Sequence, residues 1–217
     1  VGSEMCIRDR SVSHYDNKGK YDGDSGHGTH VAGTVAAVNN NGKGVCGVAG
    51  GTGSNDGVKL MSCQIFSGGN GGTISTSVRA IKYAADNGAS IIQCSWGYPA
   101  GAVTTDNAYA SGARIEKQAI DYFIATKNNA VLDGGLVIFA AGNDAKAMSG
   151  YPGAYRDYIS VTAFSPDYLP AYYTNYGPGC NVAAPGGDAY ISPSGSSAAQ
   201  VLSTLPSELY QSDYGYM

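Results

Sequence analysis

Between residues 58 and 164 the chain alternates short apolar runs with helix-patterned segments, and this alternation restricts the fold more than any other feature. Residues 58–66 (VKLMSCQIF) predict a strand. Residues 74–87 predict a helix, because Ile74, Val78, Ile81 and Ala85 recur at helical spacing, with Thr73 as N-cap and Gly88 as C-cap. Residues 89–94 (ASIIQC) predict a short strand of buried type. Residues 114–127 predict a second amphipathic helix with Ile115, Ala119, Ile120, Phe123 and Ile124 on one face. Residues 135–141 (GLVIFAA) and 159–164 (ISVTAF) predict two further strands. Upstream, residues 28–38 (GTHVAGTVAAV) predict a helix ended by the Asn39-Asn40-Asn41-Gly42 turn. Strand–helix–strand repetition of this kind implies an α/β fold: three layers, a mostly parallel sheet with helices on both faces. Ligands of such sheets gather beyond the carboxyl ends of the strands. Ser95-Trp96-Gly97 and Gly142-Asn143-Asp144 follow two of the predicted strands and are the first candidates for a site.

Composition narrows the function classes. The 217 residues hold 13 Lys+Arg and 17 Asp+Glu, a net charge of −4, which argues against nucleic acid as a partner. No run of ~18 apolar residues is present, so no membrane span is expected in this stretch. Glycine is twice as frequent as the usual ~7%, at 32 residues, without a three-residue period, which excludes collagen. Seventeen tyrosines against four Phe and one Trp suggest half-wet surfaces.

Val1–Arg10 (VGSEMCIRDR) fit no fold argument. Through Asp9 they coincide with the translation of a transposon-based sequencing adapter, so residues 1–10 are expected to be an artefact. Without them the net charge is unchanged, because Arg8 and Arg10 balance Glu4 and Asp9, and Cys6 leaves the cysteine count.

The chemistry-bearing motif is GHGTHVAG at 26–33. His27 stands where a helix begins, and the positive end of a helix dipole disfavours a cation, which suits a neutral base. GHGTHVAGTVAA resembles the histidine motif of the subtilisin-like serine peptidases. IIQCSWG (91–97) resembles their substrate-binding strand, VIFAAGN (137–143) their oxyanion-asparagine motif, and GYPGAY (150–155) the loop of their primary specificity pocket. NVAAPG (181–186) and VLSTLP (201–206) resemble the run that approaches the catalytic serine. The ordered motifs cover 26–217, nearly everything after the adapter-like stretch.

The resemblance implies a serine-type endopeptidase with a Ser-His-Asp triad. His27 would be the general base and Asn143 the side-chain donor to the oxyanion. Ser95, Trp96 and Gly97 would pair with the substrate backbone as an added strand. Gly71 and Gly72 would line the opposite substrate edge, and Gly150 would leave the specificity pocket open at its base. Polypeptides are the implied substrates. Secretion or a cell-envelope location is implied by the family. No cofactor is required; Asn40 and its neighbours resemble the family calcium loop, which allows calcium as a stabilising ion.

Two triad members are not matched. Asp24-Ser25-Gly26 mimics the family's Asp motif but abuts His27 and follows no apolar strand; Asp16 and Asp22 fail for the same reason. Residues 195–199 (GSSAA) mimic the Ser motif, yet Ser197 precedes the STLP run and is rejected as the nucleophile. Residues 11–217 therefore read as a partial peptidase domain, incomplete at both ends and inactive by itself. The competing reading is a catalytically inactive binding module of the same fold. A metal hydrolase built on His27 and His30 is disfavoured, since no Glu completes an H-E-x-x-H pattern. Gly42-Lys43-Gly44-Val45-Cys46-Gly47 matches a dinucleotide fingerprint but follows a helix rather than a strand. Cys46, Cys63, Cys94 and Cys180 lack zinc-site spacing, and Cys63 and Cys94 are read as small buried hydrophobes.

Overall fold

The computed structural model describes residues 26–66, 72–191, 199–206, 212 and 214–217. The chain divides into two compact units, Val1–Thr73 with Leu202–Met217, and Ile74–Val201. The expected artefact at 1–10, Asp16, Asp22, Asp24, Gly71 and Ser197 all lie outside the described residues.

The second unit holds a four-stranded sheet formed by β1 (Ile91–Cys94), β2 (Leu136–Ala140), β3 (Ile159–Phe164) and β4 (Val182–Pro185). The strands lie in the order β1-β2-β3-β4 and every neighbouring pair is parallel. This is the predicted α/β architecture with its parallel sheet. Three helices accompany the sheet: α2 (Ile74–Asp86), α3 (Asp106–Gly112) and α4 (Arg114–Ala125). α2 packs on α4, and α4 packs on β2. Ile81, Ala84 and Ala85 of α2 and Ala119, Ile120 and Phe123 of α4 are buried, as their spacing requires. Gly88, at φ 90°, ends α2, with its N–H turned to the Ala85 carbonyl at 3.4 Å.

Several expectations are corrected. Residues 58–66 form no strand; a strand exists only through its ladder partner, and none pairs with this segment among the described residues. Val58, Leu60, Met61 and Phe66 are exposed accordingly, and Cys63 is half-buried rather than buried. Ile115 leaves the apolar face of α4. It is 64% exposed, and with Ile74 it lines a cavity of about 430 Å³. The buried position beside it belongs to Glu116. The tyrosines are not all half-wet either: Tyr109, Tyr151 and Tyr158 are buried, and Tyr109 sits against the rings of Tyr151, Tyr155 and Tyr158 at 5.4, 5.7 and 6.4 Å. β1, read as a buried strand, is the first strand of the sheet, and its Ile91 is exposed.

The first unit holds α1 (His27–Ala36) and the antiparallel pair β5 (Leu202–Thr204) and β6 (Tyr214–Tyr216). α1 packs on β5 through polar pins rather than apolar bulk. Ser203 Oγ donates to the His30 carbonyl at 2.7 Å, and Thr204 Oγ1 to the Thr29 carbonyl at 2.9 Å. A Cβ at Gly33 would collide with both hydroxyls, so the closeness of helix and strand requires glycine there.

Candidate active site

The two motifs singled out at strand ends do end neighbouring strands. β1 pairs with β2 in a register that matches Cys94 to Phe139. Ser95-Trp96-Gly97 therefore leaves one strand directly after Cys94, and the neighbouring chain turns through Gly142 and Asn143 three and four residues beyond its partner Phe139. Both motifs lie beyond the carboxyl ends of a parallel sheet, where the strands' open ends gather ligands.

The Ser95–Gly97 segment follows β1, half-buried at Ser95 and Trp96 and exposed at Gly97. Trp96 meets Phe139 edge to face at 5.4 Å, and Ser95 Oγ accepts from the Gln93 amide at 2.7 Å. Just after it, the Tyr98 N–H donates to the Tyr151 carbonyl at 2.6 Å. This bond joins the segment to the loop that begins at Gly150. Gly150 is buried, its N–H donates to the Ala141 carbonyl at 2.7 Å, and a Cβ there would stand 2.6 Å from the Tyr98 carbonyl oxygen. Ser95, Trp96, Gly97, Asn143 and Gly150 all lie in the second unit.

Asn143 is exposed and follows Gly142, whose φ of 109° excludes most side chains. A Cβ on Gly142 would also collide with the Asn175 amide. Asn175 is a site residue that sequence reading missed. It is fully buried, 31 residues beyond Asp144, and its side chain bonds the turn on both sides of Asn143. Asp144 ties the same turn to the stretch after Gly97, since its carboxylate accepts the Ala100 N–H at 3.0 Å.

A second group that the sequence does not single out meets Tyr98, just after Gly97. Glu116 of α4 is 1% exposed, and its carboxylate accepts Ser77 Oγ at 2.9 Å, Tyr98 Oη at 2.8 Å and Tyr109 Oη at 3.5 Å. Hydroxyl donors replace the water that a buried carboxylate forfeits. Burial pushes the Tyr98 and Tyr109 hydroxyls well above the ordinary tyrosine range, with the nearby Glu116 charge adding to it. Tyr151, whose hydroxyl donates to Asp106 at 2.9 Å, is pushed up to about 12, first by burial and then by that bond.

His27 and Gly72 lie in the first unit. His27 is exposed and opens α1, directly after Gly26, which takes a left-handed conformation at φ 72° and gives no side-chain cap. His30 is buried, and its Nε2 lies 3.2 Å from the Gly215 carbonyl. Gly72 is exposed beside the Ile65 carbonyl and the Phe66 ring. In the Asn40 loop the Asn40 amide donates to the Thr52 carbonyl, and Asp56 accepts the Thr52 N–H and hydroxyl. Among the described residues no group of three His, Cys, Asp or Glu gathers as a metal would need.

The model of the subtilase family matches residues 2–217. The chain belongs to the subtilase family. Subtilisin DY of Bacillus licheniformis is 34% identical over 192 residues, which cover 87% of this chain and 57% of the relative. Subtilisin Savinase of Lederbergia lenta is 31% identical, over 81% of this chain and 59% of its own length. Among solved structures, a protease from Pseudoalteromonas arctica PAMC 21717 superimposes with a TM-score of 0.64 at 30% identity, over 91% of this chain and 54% of that one. The chain thus spans little more than half the length of these relatives.

Proposed function

We propose that the protein is a subtilase-type serine endopeptidase in which this chain supplies the general base, the oxyanion donor and the substrate-binding surface. The carrying observation is the meeting, at the carboxyl ends of β1 and β2, of the Ser95–Gly97 segment with the braced Gly142–Asn143 turn. An extended peptide laid beside Ser95, Trp96 and Gly97 would find free backbone groups to pair with. Gly71 and Gly72 would flank it on the other edge, and Gly150 would open the pocket for a large apolar residue before the scissile bond.

His27 takes the proton of the attacking serine hydroxyl and returns it to the leaving amine. The Asn143 amide donates to the oxygen that gains negative charge as the carbonyl carbon becomes tetrahedral. The serine and the aspartate are assigned to segments of the full-length protein outside 11–217, because neither Ser197 nor Asp16, Asp22 or Asp24 fits its motif. Residues 11–217 alone are therefore inactive. Polypeptides are the substrates and no cofactor enters the chemistry. Calcium, where it binds, would act on stability through the Asn40 loop. Among the described residues no helix is long and apolar enough to cross a membrane, and a secreted or cell-envelope location is proposed from family habit.

A fluorophosphonate probe tests the assignment. It should label the full-length protein at one serine, lose that label in His27→Ala, and leave residues 11–217 unlabelled. Labelling at Ser197 would overturn its rejection. A full-length protein that never labels would favour the inactive binding module.

A further inference from the structure

We propose that Asn175 is a positioning residue for the oxyanion donor, a role that rests on the assignment of Asn143 made above. Asn175 is completely buried. Its Oδ1 accepts the N–H groups of Asp144 at 3.0 Å and Lys146 at 3.1 Å. Its Nδ2 donates to the Ala141 carbonyl at 2.9 Å and lies 3.4 Å from Asp144 Oδ2. Its own N–H donates to the Gly142 carbonyl at 3.0 Å. One residue thus holds positions 141, 142, 144 and 146, and leaves Asn143 between its supports. Asn175 is itself anchored to β3, since Thr162 Oγ1 donates to its carbonyl at 2.6 Å.

The chemistry of the side chain explains the choice. The turn presents two N–H donors and one carbonyl acceptor to a single buried point, and a carboxamide answers both kinds from two separate atoms. Aspartate would keep the acceptor, lose the bond to Ala141, and set a second carboxylate against Asp144. Serine could not span the turn. An oxyanion donor must sit ~2.7–3.1 Å from the position the carbonyl oxygen takes only as its carbon becomes tetrahedral, so small displacements of the turn are felt in turnover rather than in substrate binding.

The test uses the full-length protein with a chromogenic peptide substrate, in wild type, Asn175→Ala, Asn143→Ala and the double variant. Asn175→Ala is expected to lower kcat by ~10–10²-fold with KM changed less than about threefold. The double variant is expected to be no slower than Asn143→Ala alone, because the brace has nothing left to aim. Hydrogen exchange gives a second readout: the Asp144 and Lys146 amides should exchange at least about tenfold faster in Asn175→Ala. An unchanged kcat in Asn175→Ala, full multiplicativity in the double variant, or unchanged exchange would overturn the proposal. If Asn175→Ala does not fold, Asn175→Asp carries the kinetic comparison alone, because it keeps the acceptor for the Asp144 and Lys146 N–H groups and loses the donor to Ala141; loss of fold in both marks Asn175 as structural only and overturns the proposal. If Asn143→Ala itself keeps wild-type kcat, the assignment of Asn143 fails first, and that outcome is read separately.

Discussion

The Asn143 turn and the His27 end of α1 are secured in opposite ways. The turn is clamped beside the functional residue, with bonds on 141, 142, 144 and 146. α1 is pinned two and three residues further on, through the carbonyls of Thr29 and His30. The difference matches the proposed work. A donor to an oxyanion contributes by standing in place before charge develops, so fixing its neighbours on both sides serves it. A base must accept a proton and hand it on, so the helix is fixed and the ring is left at an exposed end.

Variants can break this comparison, and the largest effect falls on the base. In the full-length protein His27→Ala should leave only the residual ~10³–10⁴-fold acceleration over water, a figure that belongs to the family and travels with the motif. Asn143→Ala should lose ~10²–10³ in kcat, again a family magnitude. A His27→Ala enzyme that keeps a tenth of wild-type turnover would end the assignment. Gly142→Ala comes next. It forces a side chain into φ 109° and against Asn175, and should cost ~1–3 kcal/mol in urea unfolding together with a fall in kcat. Gly33→Ala sharpens the other side of the comparison. Its methyl would displace the Ser203 and Thr204 hydroxyls, costing ~1–3 kcal/mol of stability, and its kcat per folded molecule should suffer less than that of Gly142→Ala.

Smaller effects probe the supports behind the substrate segment. Tyr98→Phe removes one of three hydroxyls from the buried Glu116 carboxylate and should cost ~1–2 kcal/mol by thermal or urea unfolding. An unchanged midpoint would show that Glu116 does not depend on that bond. Alkaline titration gives the mildest test. Tyr151 is pushed up to about 12 in the folded protein and returns to ~10 when unfolded, so between these values the folded state holds the extra proton. The contribution of Tyr151 is complete below pH ~10 and is lost as pH rises toward 12. In Tyr151→Phe this alkaline loss should be shallower.

What can be read from the sequence divides along the same line. α2, α4 and β1 to β3 are legible because their signals are local: a 3.6-residue period, a glycine stop, an apolar run; β4 is not among the predicted strands. The turn at Gly142–Asn143 is legible as a polar break after an apolar strand. Asn175 is not, because its meaning lies in bonds to residues about thirty positions earlier, and an Asn beside Thr174 and Tyr176 looks like any loop. Glu116 is illegible for a related reason. Helical spacing counts it as a solvent position, and only the Ser77, Tyr98 and Tyr109 hydroxyls make its burial affordable. Residues 58–66 carry the composition of a strand, but composition cannot supply a pairing partner.

Trp96 has a practical consequence of its own. It is the single tryptophan of the chain, and it stands edge-on to Phe139 between Ser95 and Gly97. All indole emission therefore comes from one point on the surface where a peptide backbone would lie. On the proposed reading, residues 11–217 carry their own optical gauge: a change in colour or intensity on adding a peptide would read occupancy of that edge, without a label and without turnover.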